Sequence, residues 1–303
     1  MKIFIWAILI GMTISCAFAQ TKHEWKVTLK VVDDDGQPVT SAKAGVGYYT
    51  NRVSTSINGL TDTNGIFTAS HSSYGGELGF AAEKAGYYTT RIPYLLGFDY
   101  NATKWNPVQT LMLKKIVKPI PMYAKRIDAQ PPADGKPIGY DLMVGDWVAP
   151  YGKGINPDIL FTREYNRKSL QDYDYKLTVS FPKAGDGIQE FLVPYKNMEG
   201  SALRSPHEAP TNGYQPQIVR LNISHPGQKL IFDYDENRAY FIHVRTVLDE
   251  NGNVKSALYG KIYGDFMQFS YYLNPTPNSR NVEFDPKRNL FKKLSDMEGV
   301  SQP

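Results

Sequence analysis

What this chain lacks narrows its chemistry first. It has a single cysteine, Cys16, in 303 residues, so no internal disulfide, zinc ribbon or iron–sulfur site can form. Its five histidines, His23, His71, His207, His225 and His243, never fall within four residues of one another, which removes the zinc-protease helix motif and leaves solvated or packed histidines as the reading. Strong charge of one sign is missing too. With 34 Lys and Arg against 30 Asp and Glu, the formal charge is +4, too little to draw the chain to nucleic acid or an anionic membrane. After residue 20 every apolar run is short and interrupted, so no membrane span is expected. There is no Gly-x-Ser-x-Gly, no Ser-x-x-Lys, and no phosphate loop, because Gly152-Lys153-Gly154 runs into Ile-Asn-Pro rather than a helix. No catalytic residue, metal ligand set or cofactor is assigned on these grounds.

What is present is aromatic and turn-rich. The chain holds 21 Tyr, 14 Phe and 4 Trp with 25 Gly and 20 Pro, enough side-chain area for one or two cores and enough turn formers for a β protein. It opens on MKIFIWAILIGMTISCAFAQ, with a basic residue, an apolar run of about a dozen residues and a small-residue end, the pattern of a secretory signal peptide cut after Ala19. A rival reading rests on Thr13-Ile14-Ser15-Cys16, which resembles a lipobox with Cys16 as the lipid-bearing residue. Thr13 stands where a lipobox prefers an aliphatic, so cleavage after Ala19 is preferred. The chain is therefore expected in the periplasm, at the cell surface or secreted.

Trp25, Val27, Leu29 and Val31 alternate with polar residues, the period of a strand buried on one face. Asp33-Asp34-Asp35-Gly36 ends it as a turn, and Thr61-Asp62-Thr63-Asn64-Gly65-Ile66-Phe67 carries an Asn-Gly hairpin signal. Leu78, Phe80 and Ala82 alternate again, and residues 108–115 close the set. Such spacing, without any helical period, predicts an antiparallel β-sandwich over residues 24–115. The runs Val31–Val39 with Ala42 and Ala44, Thr61–Phe67 and Lys84-Ala85-Gly86-Tyr87 make this stretch similar to the carboxypeptidase regulatory-like domain, a transthyretin-like Greek-key sandwich. The resemblance covers under a third of the chain. It implies that fold and a non-catalytic accessory role, since the zinc peptidase chemistry of the family's namesakes sits in a separate domain.

Five prolines between Lys115 and Gly139 predict a semi-rigid connection over residues 116–138, docked through Ile116, Ile120 and Met122. Alternation resumes at Tyr175, Leu177, Val179 and Phe181, at Val219, Leu221 and Ile223, and from Tyr240 to Leu248. The turn Asp249-Glu250-Asn251-Gly252-Asn253 then predicts a hairpin to Val254. A second antiparallel β-sandwich over 139–303 follows, so the fold class is all-β with two sandwich domains.

The most suggestive stretch for binding is residues 145–154, where Asp146, Trp147 and Tyr151 stand among Gly and Pro. Aromatic faces stack on sugar rings while a neighbouring carboxylate bonds hydroxyls, so Asp146, Trp147, Tyr151 and the outlying Trp105 are the candidate binding residues. The competing reading makes Trp147 a core tryptophan covered by Tyr151, and it is preferred because most tryptophans are largely buried. The acidic turns at Asp33 and Asp249 offer calcium-like oxygens, but the twelfth loop positions are Ala44 and Gly260, so turn chemistry is the reading. Asp141, Asp146, Asp158, Glu164 and Asp186 could pair as a glycosidase needs, with little specificity among so many acids. Asn101-Ala102-Thr103 and Asn222-Ile223-Ser224 are glycosylation sequons if the host modifies exported asparagines. The expectation is an exported, non-enzymatic protein of the cell envelope that recognises a glycan or a protein partner. The alternatives are a polysaccharide hydrolase or lyase, and a structural envelope component.

Overall fold

The computed structural model describes residues 23–50, 53–73, 77–97, 107–128, 130–194, 200–266 and 268–303. The leader with Cys16, the sequon at Asn101 and Trp105 lie outside the described residues. Every long element among the described residues is a strand, one 3-10 turn at Pro286–Arg288 aside. No helix among them is long and apolar enough to cross a membrane.

The first seven strands are β1 (His23–Asp33), β2 (Lys43–Thr50), β3 (Val53–Leu60), β4 (Ile66–Ser73), β5 (Glu77–Glu83), β6 (Thr90–Gly97) and β7 (Val108–Leu113). They form a three-stranded sheet, β4-β1-β7, and a sheet in the order β6-β5-β2-β3. The alternation in β1 does what its period demands: Trp25, Val27, Leu29 and Val31 are all buried and meet Ala44, Val46, Tyr48, Leu78, Phe80 and Ala82 of the facing sheet. Fully burying one such large side chain is worth about 1.5–3 kcal/mol. β1 and β7 pair in parallel, so this unit is not purely antiparallel.

The Asn64-Gly65 turn does not make a hairpin. It joins β3 of one sheet to β4 of the other, and β4 pairs with β1. The turn is held from below, because the Gly65 carbonyl accepts from Val31 N at 2.8 Å while Asp62 Oδ1 accepts from Asn64 N at 2.9 Å and Ile66 N at 2.8 Å. A side chain at Gly65, φ +73, would sit 2.4 Å from the Val31 carbonyl oxygen. Docking on β1 thus sends the chain across the sandwich rather than back along β3.

The later strands are β8 (Tyr123–Ile127), β9 (Ile138–Asp141), β10 (Asp146–Trp147), β11 (Ile159–Ser169), β12 (Asp172–Ser180), β13 (Gly187–Leu192), β14 (Gly200–Ser201), β15 (Gln217–Ser224), β16 (Ile231–Phe232), β17 (Arg238–Leu248), β18 (Val254–Gly264) and β19 (Phe269–Leu273). Two sheets, β10-β9-β11-β12-β15-β16 and β13-β17-β18-β19-β8, enclose a core built on Phe161, Leu177, Val179, Tyr240, Ile242, Ile262 and Tyr271. The Asp249–Asn253 turn does close a hairpin, with Leu248 opposite Val254.

Within the proline-rich stretch 116–138, β8 is the edge strand of the five-stranded sheet. That sheet is buried on both faces. Its outer face carries Ala239, Phe241, Tyr263 and Tyr272 under residues from the segment after β13 and from the C-terminal stretch, so β17 and β18 are buried along most of their length, polar residues such as His243 and Lys261 included. The two halves touch at several points. β14 adds to β6, and the buried Glu283 accepts from Tyr88 Oη at 2.7 Å, Val117 N at 2.9 Å and Lys118 N at 2.6 Å.

Candidate functional site

Cross-strand register defines the site. On the inner face of the six-stranded sheet, Phe161 lies opposite Val179 and Val179 opposite Ile218; the next rows are Arg163–Leu177–Arg220, then Tyr165–Tyr175–Asn222. Directly opposed residues share a face, so one continuous surface runs from the core outwards. The five-stranded sheet covers the first row and Leu177 of the second, and its strand β17 ends just past Tyr240 at Arg238, with the Tyr240 hydroxyl accepting from Arg220 Nη2 at 2.7 Å. Beyond that point no strand among the described residues covers the inner face. It becomes a groove of about 390 Å³ along which the aliphatic residues give way to Tyr165, Tyr173, Tyr175, Phe232 and Tyr234.

Tyrosine suits this position because its ring tolerates burial while its hydroxyl tolerates water. Tyr165 and Tyr175 meet edge-on at 6.0 Å, and Phe232 and Tyr234 stack at 5.6 Å. Phe232 is 56% exposed, Tyr234 49% and Tyr165 44%, a concentration of apolar ring surface in contact with solvent. The polar groups at the groove are mostly engaged. Tyr173 Oη donates to Asn222 Oδ1 at 2.9 Å, Arg163 is paired with Asp134 and reaches Gln130 Oε1 at 3.1 Å, and Arg220 holds Glu190 at 2.7 Å and Asp233 at 3.4 Å. The Tyr175 hydroxyl has no hydrogen-bond partner among the described residues, and burial makes it a weaker acid than usual. Ring faces with fixed, largely neutralised polar groups favour an uncharged ligand that has both apolar faces and hydroxyls.

The structure brings Asp146, Trp147 and Tyr151 together in one loop but turns the tryptophan inward. Trp147 meets Tyr140 at 5.1 Å and Phe161 at 5.6 Å, both edge-on, and is half-buried against the core. Asp146 accepts from the amides of Trp147 at 2.8 Å and Lys153 at 2.9 Å. Tyr151 is half-buried, with the Lys136 ammonium 5.2 Å from its ring centre. None of the three lines the groove.

Three of the five carboxylates named above converge on Arg245. Asp158 and Asp141 bind its guanidinium, and Asp186 accepts from the amides of Arg245 at 3.2 Å and Thr246 at 2.7 Å. Asp141 also accepts from Met143, Val144, Ile155 and Asn156, and these amide bonds hold its carboxyl below its ordinary range although burial pulls the other way. All three acids are buried, and their bonds secure backbone. Glu164 is exposed and paired with Lys176. At the first acidic turn the Asp33, Asp34 and Asp35 carboxylates lie close enough to hold a cation, and the Lys115 ammonium fills that role, 2.9 Å from Asp33 and 2.7 Å from Asp35.

The groove escaped sequence analysis because β15 misleads. Val219, Leu221 and Ile223 sit opposite Thr178, Lys176 and Asp174, on the outer face. Its inner residues are Ile218, Arg220 and Asn222, and the polarity of Arg220 and Asn222 breaks the expected pattern. A signal did exist in β11 and β12, where the buried alternation continues in tyrosine instead of aliphatic residues.

No protein-family model matches the chain, and no curated protein is similar to it in sequence. Among solved structures, a 3-chlorocatechol 1,2-dioxygenase from Rhodococcus opacus matches at 13% identity and a TM-score of 0.25, over 33% of this chain and 62% of that one. A streptococcal ancillary pilin matches at 11% and 0.23, over 80% and 59%. In both cases the match spans less than two thirds of the other protein. A "putative carbohydrate binding protein" from Bacteroides uniformis matches at 8% and 0.22, over 84% and 98%. Similarity this distant carries no argument about function.

Proposed function

We propose that this is an exported, non-enzymatic glycan-binding protein of the cell envelope, with the groove at the open end of the second sandwich as its binding platform. One observation carries the reading: the inner face of a sandwich sheet outruns its cover and is finished there with Tyr165, Tyr173, Tyr175, Phe232 and Tyr234. Leaving such rings in water is unfavourable unless something stacks on them. The groove volume suits a few sugar rings rather than a protein surface. The leader at residues 1–19 supplies the route out of the cell. Residues 24–115, read as a carboxypeptidase regulatory-like accessory domain, and residues 139–303 are the two units, tied by the docked stretch 116–138.

The test is a glycan array followed by titration calorimetry on residues 20–303, with Tyr165→Ala and Phe232→Ala beside the parent. Stacking of this kind is worth about 1 kcal/mol or more per ring, so each variant should lose at least about fivefold in affinity. Binding that survives both substitutions, or no glycan bound by the parent, overturns the reading.

A further inference from the structure

The outer face of the five-stranded sheet holds a second concavity, of about 370 Å³, which shares Tyr234 and Asp265 with the aromatic groove. Its floor is a row in cross-strand register, Tyr263, Ser270 and Arg126. Across it comes the segment after β14, which lays the Arg204 guanidinium over the Tyr263 ring at 4.9 Å. Two more cations gather nearby around Ser205: Lys114 Nζ donates to its carbonyl at 2.9 Å and Lys261 Nζ to its hydroxyl at 3.1 Å.

These three cations differ in what they can do. Lys261 is wholly buried and Lys114 largely so, and burial makes each a weaker base than an ordinary lysine, while each donates to Ser205. Arg204 keeps its charge, because guanidinium stays protonated in proteins. Its Nε is buried with no hydrogen-bond partner, and among the described residues no carboxylate pairs with it. The acids at the rim are engaged: Asp235 accepts from Asn237 N at 2.9 Å and Asp265 from Gln268 N at 3.1 Å, while Glu236 has an interaction of its own. A permanent, half-desolvated cation without an anion is a costly arrangement within a folded chain. A bound anion would relieve it.

We propose that this concavity is an anion subsite continuous with the groove, in which Arg204, backed by Arg126 and Ser270, takes a carboxylate or sulfate borne by an acidic sugar. This deepens the glycan reading above and rests on it for the source of the anion. The groove stacks neutral ring faces, and the ligand bends round Tyr234 and Asp265 to present its acid to a guanidinium whose planar fork matches two oxygens.

Two measurements separate the subsite from the glycan reading. Sodium sulfate and sodium glucuronate, at ionic strength matched with sodium chloride, should raise the melting temperature of residues 20–303 and leave that of Arg204→Gln unchanged. Arg204→Lys, which keeps the charge but not the fork, should respond weakly. No rise beyond chloride in the parent, or the same rise in Arg204→Gln, overturns the anion subsite whatever the glycan result. Calorimetry with oligogalacturonate and its neutral methyl ester then tests the source. The acid should bind about tenfold more tightly or better, as charge-assisted hydrogen bonds imply, and Arg204→Gln should erase that preference while Tyr165→Ala weakens both ligands. Equal binding of acid and ester by the parent overturns the acidic-sugar proposal. If the small anions stabilise but neither oligosaccharide binds, the subsite stands and the acidic-sugar source falls.

Discussion

The guanidinium of Arg245 grips both carboxylate oxygens of Asp158, Nε to Oδ1 at 2.8 Å and Nη2 to Oδ2 at 2.9 Å. Arg245 itself stands at φ +57, a left-handed conformation unusual for a residue with a side chain, at a bulge where the β17–β18 register shifts between Val244 and Val247. The bulge aims the arginine at Asp158 and Asp141, and Asp186 pins the bulge through two amides. The ion pair and the strained backbone therefore support one another.

Arg245→Met should cost about 3 kcal/mol or more in urea unfolding, because it strands the buried Asp158 carboxylate without its cation. Adding Asp158→Leu to that variant should recover part of the loss. Additive losses in the double variant would mean that the pair is not a coupled unit.

His243 gives a prediction in pH. It is buried beneath Tyr214, ring centres 4.0 Å apart, with Tyr259 at 6.0 Å, and no acid partners it among the described residues. Burial lowers its pKa from 6.5 to about 4. The unfolded chain thus binds a proton between these values that the folded chain refuses, so stability falls as pH drops from 6.5 towards 4, by about 3 kcal/mol for this group. His243→Phe should flatten that part of the stability profile. An unchanged slope would assign it to other groups.

Trp147 and the groove aromatics should separate cleanly. Trp147→Ala removes a half-buried ring from the core edge and should cost about 2–3 kcal/mol of stability, with glycan affinity unchanged in the folded fraction. Tyr165→Ala should show the reverse. Loss of binding in Trp147→Ala at full folding would move the site to the 145–154 loop.

Arg204→Leu should leave the ligand-free protein as stable as before or stabilise it by about 1 kcal/mol, since a half-buried cation with no carboxylate partner among the described residues gives way to an apolar side chain. Chemical unfolding without sulfate is the measurement. A marked loss would make Arg204 a structural residue.

Strand existence was legible from residues alone. The alternation of Trp25 to Val31 and of Tyr175 to Val179 states which side of each strand is apolar, and that is local chemistry with a period of two. The Asn64-Gly65 turn was legible as a turn but not as a bridge between sheets, since its direction depends on Val31 in another strand. The core placement of Trp147 follows from its residue type, and its contacts with Tyr140 and Phe161 come from folding.

The all-β class, the positions of most strands and the poverty of metal and nucleophile motifs are properties of the sequence by itself, because period, turn chemistry and residue inventory need no partner. Tertiary structure decided how far one sheet covers the other and which cation is left without an anion among the described residues. Tyr165 and Tyr175 continue a core pattern in sequence and line a groove because β17 of the facing sheet ends just past Tyr240, at Arg238. Arg204 is an ordinary residue in sequence, and its isolation arises from the strands and segments packed around it. Coverage and pairing are long-range relations between elements, and no local pattern encodes them.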